Sequence, residues 1–243
     1  MDYKEFLKHG ERLDDLQINN LQVIQNPAGF CFSEDAVLLA NFVKIKAGER
    51  VCDLGTGCGV IAILLSAKTQ AKEIVGVEIQ TDIADMAARS VKLNDLENRV
   101  NILNLPMQEA HLTLGREGFD AVAANPPFFQ MTNDKGQMTN NDIGFVNSES
   151  IAKQEIYVTL DEVATAAARL LRFRGRFYLI HRADRLADVF RALNAHDLEP
   201  KVLRFCGAGK TPDRILVEAV KGGKPGLRVQ MTNDKGQMTS KVN

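Results

Sequence analysis

The sequence predicts an α/β protein: one mostly parallel sheet, helices on both faces, and an antiparallel last strand. Three observations carry this. Short apolar runs alternate with longer helical patterns from Arg50 to His196. A glycine-rich turn, Asp53-Leu54-Gly55-Thr56-Gly57-Cys58-Gly59, joins the first of these strands to the first of these helices. The last two strand-like runs, 201–206 and 215–220, have no helical pattern between them and so pair antiparallel.

Taken in order, the elements begin with a hairpin. Leu16 and Ile18, then Leu21 and Val23, alternate about Asn19-Asn20, which is tight-turn chemistry. Pro27 and Gly29 end that unit, Ser33 caps a helix running through Phe42, and Gly48 closes it. Residues 1–48 thus form a β/α extension too small to fold alone, packed on a main domain of 49–243. Strands follow at 51–54, 74–78, 100–105, 119–124 and 175–181, with helices at 60–67, 81–94, 155–171 and 183–195. The decapeptide QMTNDKGQMT occurs at 130–139 and again at 230–239. Two copies do not make a repeat architecture, and neither copy carries a function here.

Composition excludes several classes. Every apolar run is interrupted by a charge before it reaches membrane-spanning length. MDYKEFLKHGERLDD has no apolar core after its basic residues, unlike a secretory signal. Cys31, Cys52, Cys58 and Cys206 form no CxxC pair, which argues against zinc and for a reduced, cytoplasmic setting. His9, His111, His181 and His196 are dispersed, without a nucleophile motif beside them. Net charge is −1, yet residues 169–228 hold 14 Lys/Arg against 6 Asp/Glu. Such asymmetry fits a basic face for a polyanion, or ordinary solvated helix faces.

Two motifs carry chemistry. The glycine turn, with Gly55, Gly57 and Gly59, lets backbone approach a ligand where a Cβ would clash, and Thr56 lies within it. The spacing departs from the G-x-G-x-x-G of nicotinamide sites, so the adenosyl cofactor need not carry a pyrophosphate. Asp53 orients the turn or reaches a cofactor ammonium through water, and Glu78 ends the next strand, where a carboxylate accepts both ribose hydroxyls. Cys58 is a packing residue inside the turn. The second motif is Asn125-Pro126-Pro127-Phe128-Phe129. The Asn125 side-chain carbonyl and the Pro126 main-chain carbonyl can each accept one N–H of a planar exocyclic amine. Its lone pair is then held toward an electrophile by positioning and polarisation, without a strong base. Pro127 stiffens the turn, and Phe128, with Phe129 beside it, offers a ring face to a flat base.

With these motifs the chain resembles the Rossmann-type, class I, S-adenosylmethionine-dependent amino-methyltransferases. GFCFSEDAVLLANF at 29–42 and VEAVKGGKPGLRV at 217–229 resemble the branch of the tRNA1(Val) (adenine-37-N6)-methyltransferases. The resemblance implies S-adenosylmethionine as cofactor, held by Asp53, Gly55, Thr56, Gly57, Gly59 and Glu78, with Asn125 beside it and Asp35 in the segment covering it. It implies Asn125, Pro126, Pro127 and Phe128 as the acceptor clamp, and a tRNA partner. The chain departs at Phe128, where many relatives have tyrosine. It departs also at Leu105-Pro106-Met107-Gln108-Glu109, where relatives place an aspartate to read the adenine; Met107 main chain or the Gln108 amide would take that place. Arg172, Arg174, Arg176, Lys221 and Lys224 are the candidates for RNA contact. The competing readings are a protein glutamine N5-methyltransferase and a non-catalytic RNA-binding relative.

Overall fold

The computed structural model describes residues 3–29, 31–127, 158–207, 211–232 and 238–239. The amino-terminal hairpin is β1 (Arg12–Asp15) with β2 (Gln22–Gln25), paired antiparallel. Its strands lie outside Leu16–Leu21, because Gln17, Asn19 and Asn20 adopt positive φ and widen the turn beyond Asn19-Asn20. Helix α1 (Glu34–Phe42) starts after Ser33 as expected, but Ser33 makes no side-chain cap bond. The helix ends at Phe42, six residues before Gly48, because Val43 is extended.

The main sheet collects β3 (Arg50–Leu54), β4 (Glu73–Glu78), β5 (Val100–Asn104), β6 (Phe119–Ala124), β7 (Leu171–Arg182), β8 (Leu198–Cys206), β9 (Arg214–Lys221), β10 (Arg228–Thr232) and β11 (Met238–Thr239). Their order is β11-β10-β8-β9-β7-β6-β3-β4-β5. Strands β3 to β7 run parallel, and β9 runs antiparallel to both β7 and β8. The antiparallel strand expected from the missing helix is therefore β9. Beyond β8 the edge continues with β10, parallel to β8, and β11, elements that the polar sequence at 228–239 does not signal. The described part of the second decapeptide lies in these two strands; the first copy falls outside the described residues.

Helices α2 (Val60–Lys68), α3 (Thr81–Leu93), α4 (Ala110–Leu114), α5 (Leu160–Leu170) and α6 (Leu186–Ala195) cover the sheet. Side-chain alternation sorts each strand into two cores. Val51, Ile74, Ala121, Ala123, Tyr178 and Ile180 face α1, α2 and the hairpin residues Val23 and Ile24. Cys52, Leu54, Val75, Val77, Val122, Ala124 and Leu179 face α5 and α6. Because α2 lies between the sheet and α1, every residue from Val60 to Ser66 is buried. Among the described residues no helix is long and apolar enough to cross a membrane.

Candidate active site

The chain runs outward from β3 to β4 and β5, then returns to place β6 on the other side of β3. That reversal opens a crevice at the carboxyl ends of β3 and β6, the place where open α/β sheets bind ligands. Asp53 is the penultimate residue of β3, the glycine turn leaves from the same end, Glu78 ends β4, and Asn125 follows β6. Leu54 pairs with Ala124 across the ladder, so Gly55 and Asn125 leave neighbouring strands at the same level. The two motifs, far apart in sequence, are thus brought together.

The turn is fixed by backbone bonds. Gly55 and Thr56 N–H donate to the Val77 carbonyl at 2.9 and 3.0 Å. Gly55, Gly57 and Gly59 have φ of 70°, 57° and 86°, the left-handed region that side chains disfavour. At Gly59 a Cβ would also stand 3.3 Å from Ala87 Cβ, so the residue brings α2 close to α3. Met107 Cε lies 3.6 Å from where a Gly55 Cβ would be, which sets Met107 over the turn.

Glu78 is buried and pre-oriented. Its Oε2 accepts from Gly57 N–H and its Oε1 from Gln80 N–H, both at 3.0 Å. Each oxygen keeps one acceptor site for a ligand hydroxyl. Burial pushes its carboxyl up, against these backbone donors. Asn104 braces the same strand end, donating to the Glu78 and Ile79 carbonyls at 2.9 and 3.0 Å. Sequence reading missed Asn104; its one signal is a polar residue closing an apolar strand.

Asp53 is fully buried, with Oδ2 accepting from Thr56 Oγ1 at 2.6 Å and Oδ1 left without a partner. Burial raises its carboxyl to about 7, and the Glu78 charge adds to the rise. An orphaned buried acceptor, a second carboxylate with open acceptor sites and a glycine cradle fit a ligand carrying an ammonium and a ribose diol. Cys58 is buried and its thiol is pushed up to about 12, consistent with packing and not reactivity.

Other expected contact residues have protein partners of their own. The Gln108 amide donates to Glu162 Oε1 at 3.2 Å, so one of its hydrogens is committed to the start of α5. Asp35 is buried at an ion pair with Arg214 Nε, 2.9 Å away, which ties α1 to β9. Pro126 is buried, Asn125 half-buried and Pro127 exposed, while Phe128 and Phe129 lie outside the described residues.

Strand direction places the basic candidates on β7 and β9 away from the crevice. Arg176 pairs with Ala121 of β6 and Val220 of β9, at the amino end of the parallel strands. Arg172, Arg174, Arg176 and Lys221 therefore sit at the opposite end of the sheet from Asn125. Arg176 donates to the Lys44 carbonyl at 2.7 Å and pairs with Glu49. Lys221 pairs with Glu117 at 2.9 Å and donates to the Ala168 and Leu171 carbonyls at 2.8 Å. Cations matched in this way by carboxylates and carbonyls tie strands together and are less free to pair with a phosphate. Arg172 pairs with Asp120 at 2.5 Å; Lys224 is exposed.

Comparison with known proteins agrees with this geometry. Residues 21–144, half of the chain, match the family described as "Methyltransferase small domain". The tRNA1(Val) (adenine(37)-N6)-methyltransferase of Porphyromonas gingivalis is 28% identical over 196 residues, 76% of this chain and 72% of the relative. A crystal structure of a predicted O-methyltransferase from Agrobacterium tumefaciens superposes with a TM-score of 0.63 at 22% identity, covering 81% of this chain and 85% of that one. The geranyl diphosphate C-methyltransferase of Streptomyces coelicolor, in complex with S-adenosyl-L-homocysteine, superposes at 0.55 with 13% identity, covering 77% and 78%. The chain belongs to the methyltransferase small domain family.

Proposed function

We propose that the chain methylates the N6 amine of an adenine in tRNA. The observation that carries the reading is the juxtaposition of Asn125, at the end of β6, with the glycine turn at the end of β3. The name of the Porphyromonas relative supports the choice of substrate.

S-adenosylmethionine, when bound, would supply an electrophilic methyl group. Glu78 would accept from its ribose hydroxyls with the acceptor sites left after Gly57 and Gln80 have donated. Asp53, steadied by Thr56, would offer its open oxygen to the ammonium. The carbonyls of Asn125 and Pro126 would accept hydrogen bonds from the two N–H groups of the adenine amine and hold its lone pair in line; the methylated nitrogen then loses one proton to solvent. These contacts strengthen as positive charge develops on nitrogen, so they lower the barrier more than they tighten ground-state binding. Phe128 supplies an aromatic ring of the kind that stacks on a flat base.

The test is methyl transfer from labelled cofactor to bulk tRNA and, in parallel, to cell protein, with the tRNA digested to nucleosides for mass spectrometry. Label in N6-methyladenosine is the expected result. Label in protein glutamine, with none in tRNA, would replace this reading with the glutamine N5 alternative.

A further inference from the structure

Strand β7 carries an excursion that the methyl-transfer reading does not use. Along the ladder to β6, the pairing passes from Phe119–Leu171 directly to Ala121–Arg176, so residues 172–175 bulge out of the sheet. Arg174 stands at φ 65° in this bulge, and Phe173 at its tip is 64% exposed. The ring is nonetheless held. It lies close against Gly222, where a Cβ would fall 2.1 Å from Phe173 Cε2. The Arg174 guanidinium sits 5.6 Å from the ring centroid and donates to the Gly222 carbonyl at 3.3 Å.

The charges about the ring are unequal. Arg172 is matched by Asp120 and Lys221 by Glu117, and Glu199 packs beside Gly223. Among the described residues Arg174 has no acidic partner, and neither has exposed Lys224, two residues past Gly222. An ordered, exposed phenyl ring with unmatched cations beside it is the combination that single-stranded nucleic acid uses, a base on the ring and phosphates on the cations. The wider segment 169–228, with 14 Lys/Arg against 6 Asp/Glu, adds long-range attraction for a polyanion.

We propose that the Phe173 bulge, with Arg174, Gly222 and Lys224, is a second docking point for folded RNA, remote from the methyl acceptor. The proposal rests on the tRNA reading above. Phe119, level with the bulge, and Asn125 are separated by the length of β6, roughly 20 Å at about 3.3 Å per residue. A substrate touching both points must be a folded RNA larger than the target nucleotide and its immediate neighbours. The bulge therefore selects for the body of the RNA, while the crevice selects the base.

Phe173→Ala and Arg174→Gln test this with bulk tRNA as the probe. Both side chains are exposed, so the variants should melt like wild type. Each should raise KM for tRNA about tenfold, the scale of one lost stacking contact. KM for the cofactor and kcat at saturating tRNA should stay unchanged, and Phe173→Trp should keep wild-type KM. Arg174→Gln should also reduce the salt dependence of tRNA binding by about one counterion. If wild type methylates tRNA and both variants keep its KM for tRNA, the docking point is wrong while the tRNA reading stands, and Phe173 is left to a protein partner. If wild type transfers nothing to tRNA, both fall together.

Discussion

Asp53 and Glu78 meet their surroundings on different terms. Glu78 is held by two backbone N–H groups, so its ionised form is supported even though burial opposes it. Glu78→Ala should weaken S-adenosylmethionine binding by about 1.5–3 kcal/mol, the scale of hydrogen bonds to a charged group, and calorimetry will show it. Asp53 has one hydroxyl donor and an orphaned oxygen, and burial raises it to about 7 from 3.8. An unfolded chain ionises this carboxyl near pH 4, whereas the folded one keeps it neutral to near 7. Stability from this group is thus fully present below about pH 4, falls as pH rises to 7, and is level above. Asp53→Asn removes the titration, so its melting temperature without cofactor should gain on wild type across that window. A difference independent of pH would mean that Asp53 is not a buried neutral acid. Asn125→Ala should lower kcat by on the order of a hundredfold, with cofactor affinity within a few-fold, because its contact belongs to the transition state. Single-turnover methyl transfer beside equilibrium cofactor binding separates these effects.

At the scale of elements, α5 shows how local chemistry and site geometry share residues. Thr159 and Glu162 form a reciprocal capping box: Glu162 N–H donates to Thr159 Oγ1 at 3.2 Å and Thr159 N–H to Glu162 Oε2 at 2.8 Å. Glu162 also accepts from Gln108, so one side chain both caps α5 and steadies the turn after β5. Thr159→Ala should cost about 1 kcal/mol in denaturant unfolding, with little effect on cofactor affinity. A larger loss in affinity than in stability would show that the cap positions Gln108. The other end of α5 explains a misplaced boundary. The helix stops at Leu170 and β7 begins at Leu171 with no turn residue between them. The sequence there offers Arg-Phe-Arg-Gly and no breaker before Gly175, so a helix through 171 and a strand from 175 is the natural local reading.

For the molecule as a whole, the amino-terminal hairpin and the sheet share one core, since Leu21, Val23 and Ile24 are buried with Ile63 and Val91. Arg89 on α3 fastens this segment from outside the core. It grips Glu11 with two bonds of 2.6 and 2.7 Å, pairs with Asp85 at 2.8 Å, and donates to the Phe6 carbonyl. The guanidinium holds the Glu11 carboxyl below its usual range, chiefly through the hydrogen bonds. Arg89→Ala should remove about 2 kcal/mol, as loss of bonds between charged groups does. Hydrogen exchange should quicken in β1 and β2 while the amides of β3 and β6 keep their protection. Uniform quickening would show that the hairpin and sheet open as one unit.

The sequence by itself determined the glycine turn, the Asn125-Pro126-Pro127 string and the position of nearly every core strand. Each of these is written in consecutive residues: buried parallel strands are short apolar runs, and the turn needs glycine at fixed offsets. Element order even implied the antiparallel β9, through the absence of a helix before it. Tertiary structure decided the rest. A count of Lys and Arg says nothing about which end of a sheet they occupy, and strand order with register put Arg176 and Lys221 at the far end, inside ion pairs. It likewise gave Gln108 and Asp35 to Glu162 and Arg214, partners 54 and 179 residues away. Short α4 and the edge strands β10 and β11 were not legible, because they combine short length with mixed polar residues and so show neither an apolar run nor a period. Periodicity fixes the face a side chain takes; only the assembled sheet fixes which strand lies next to it and at which end.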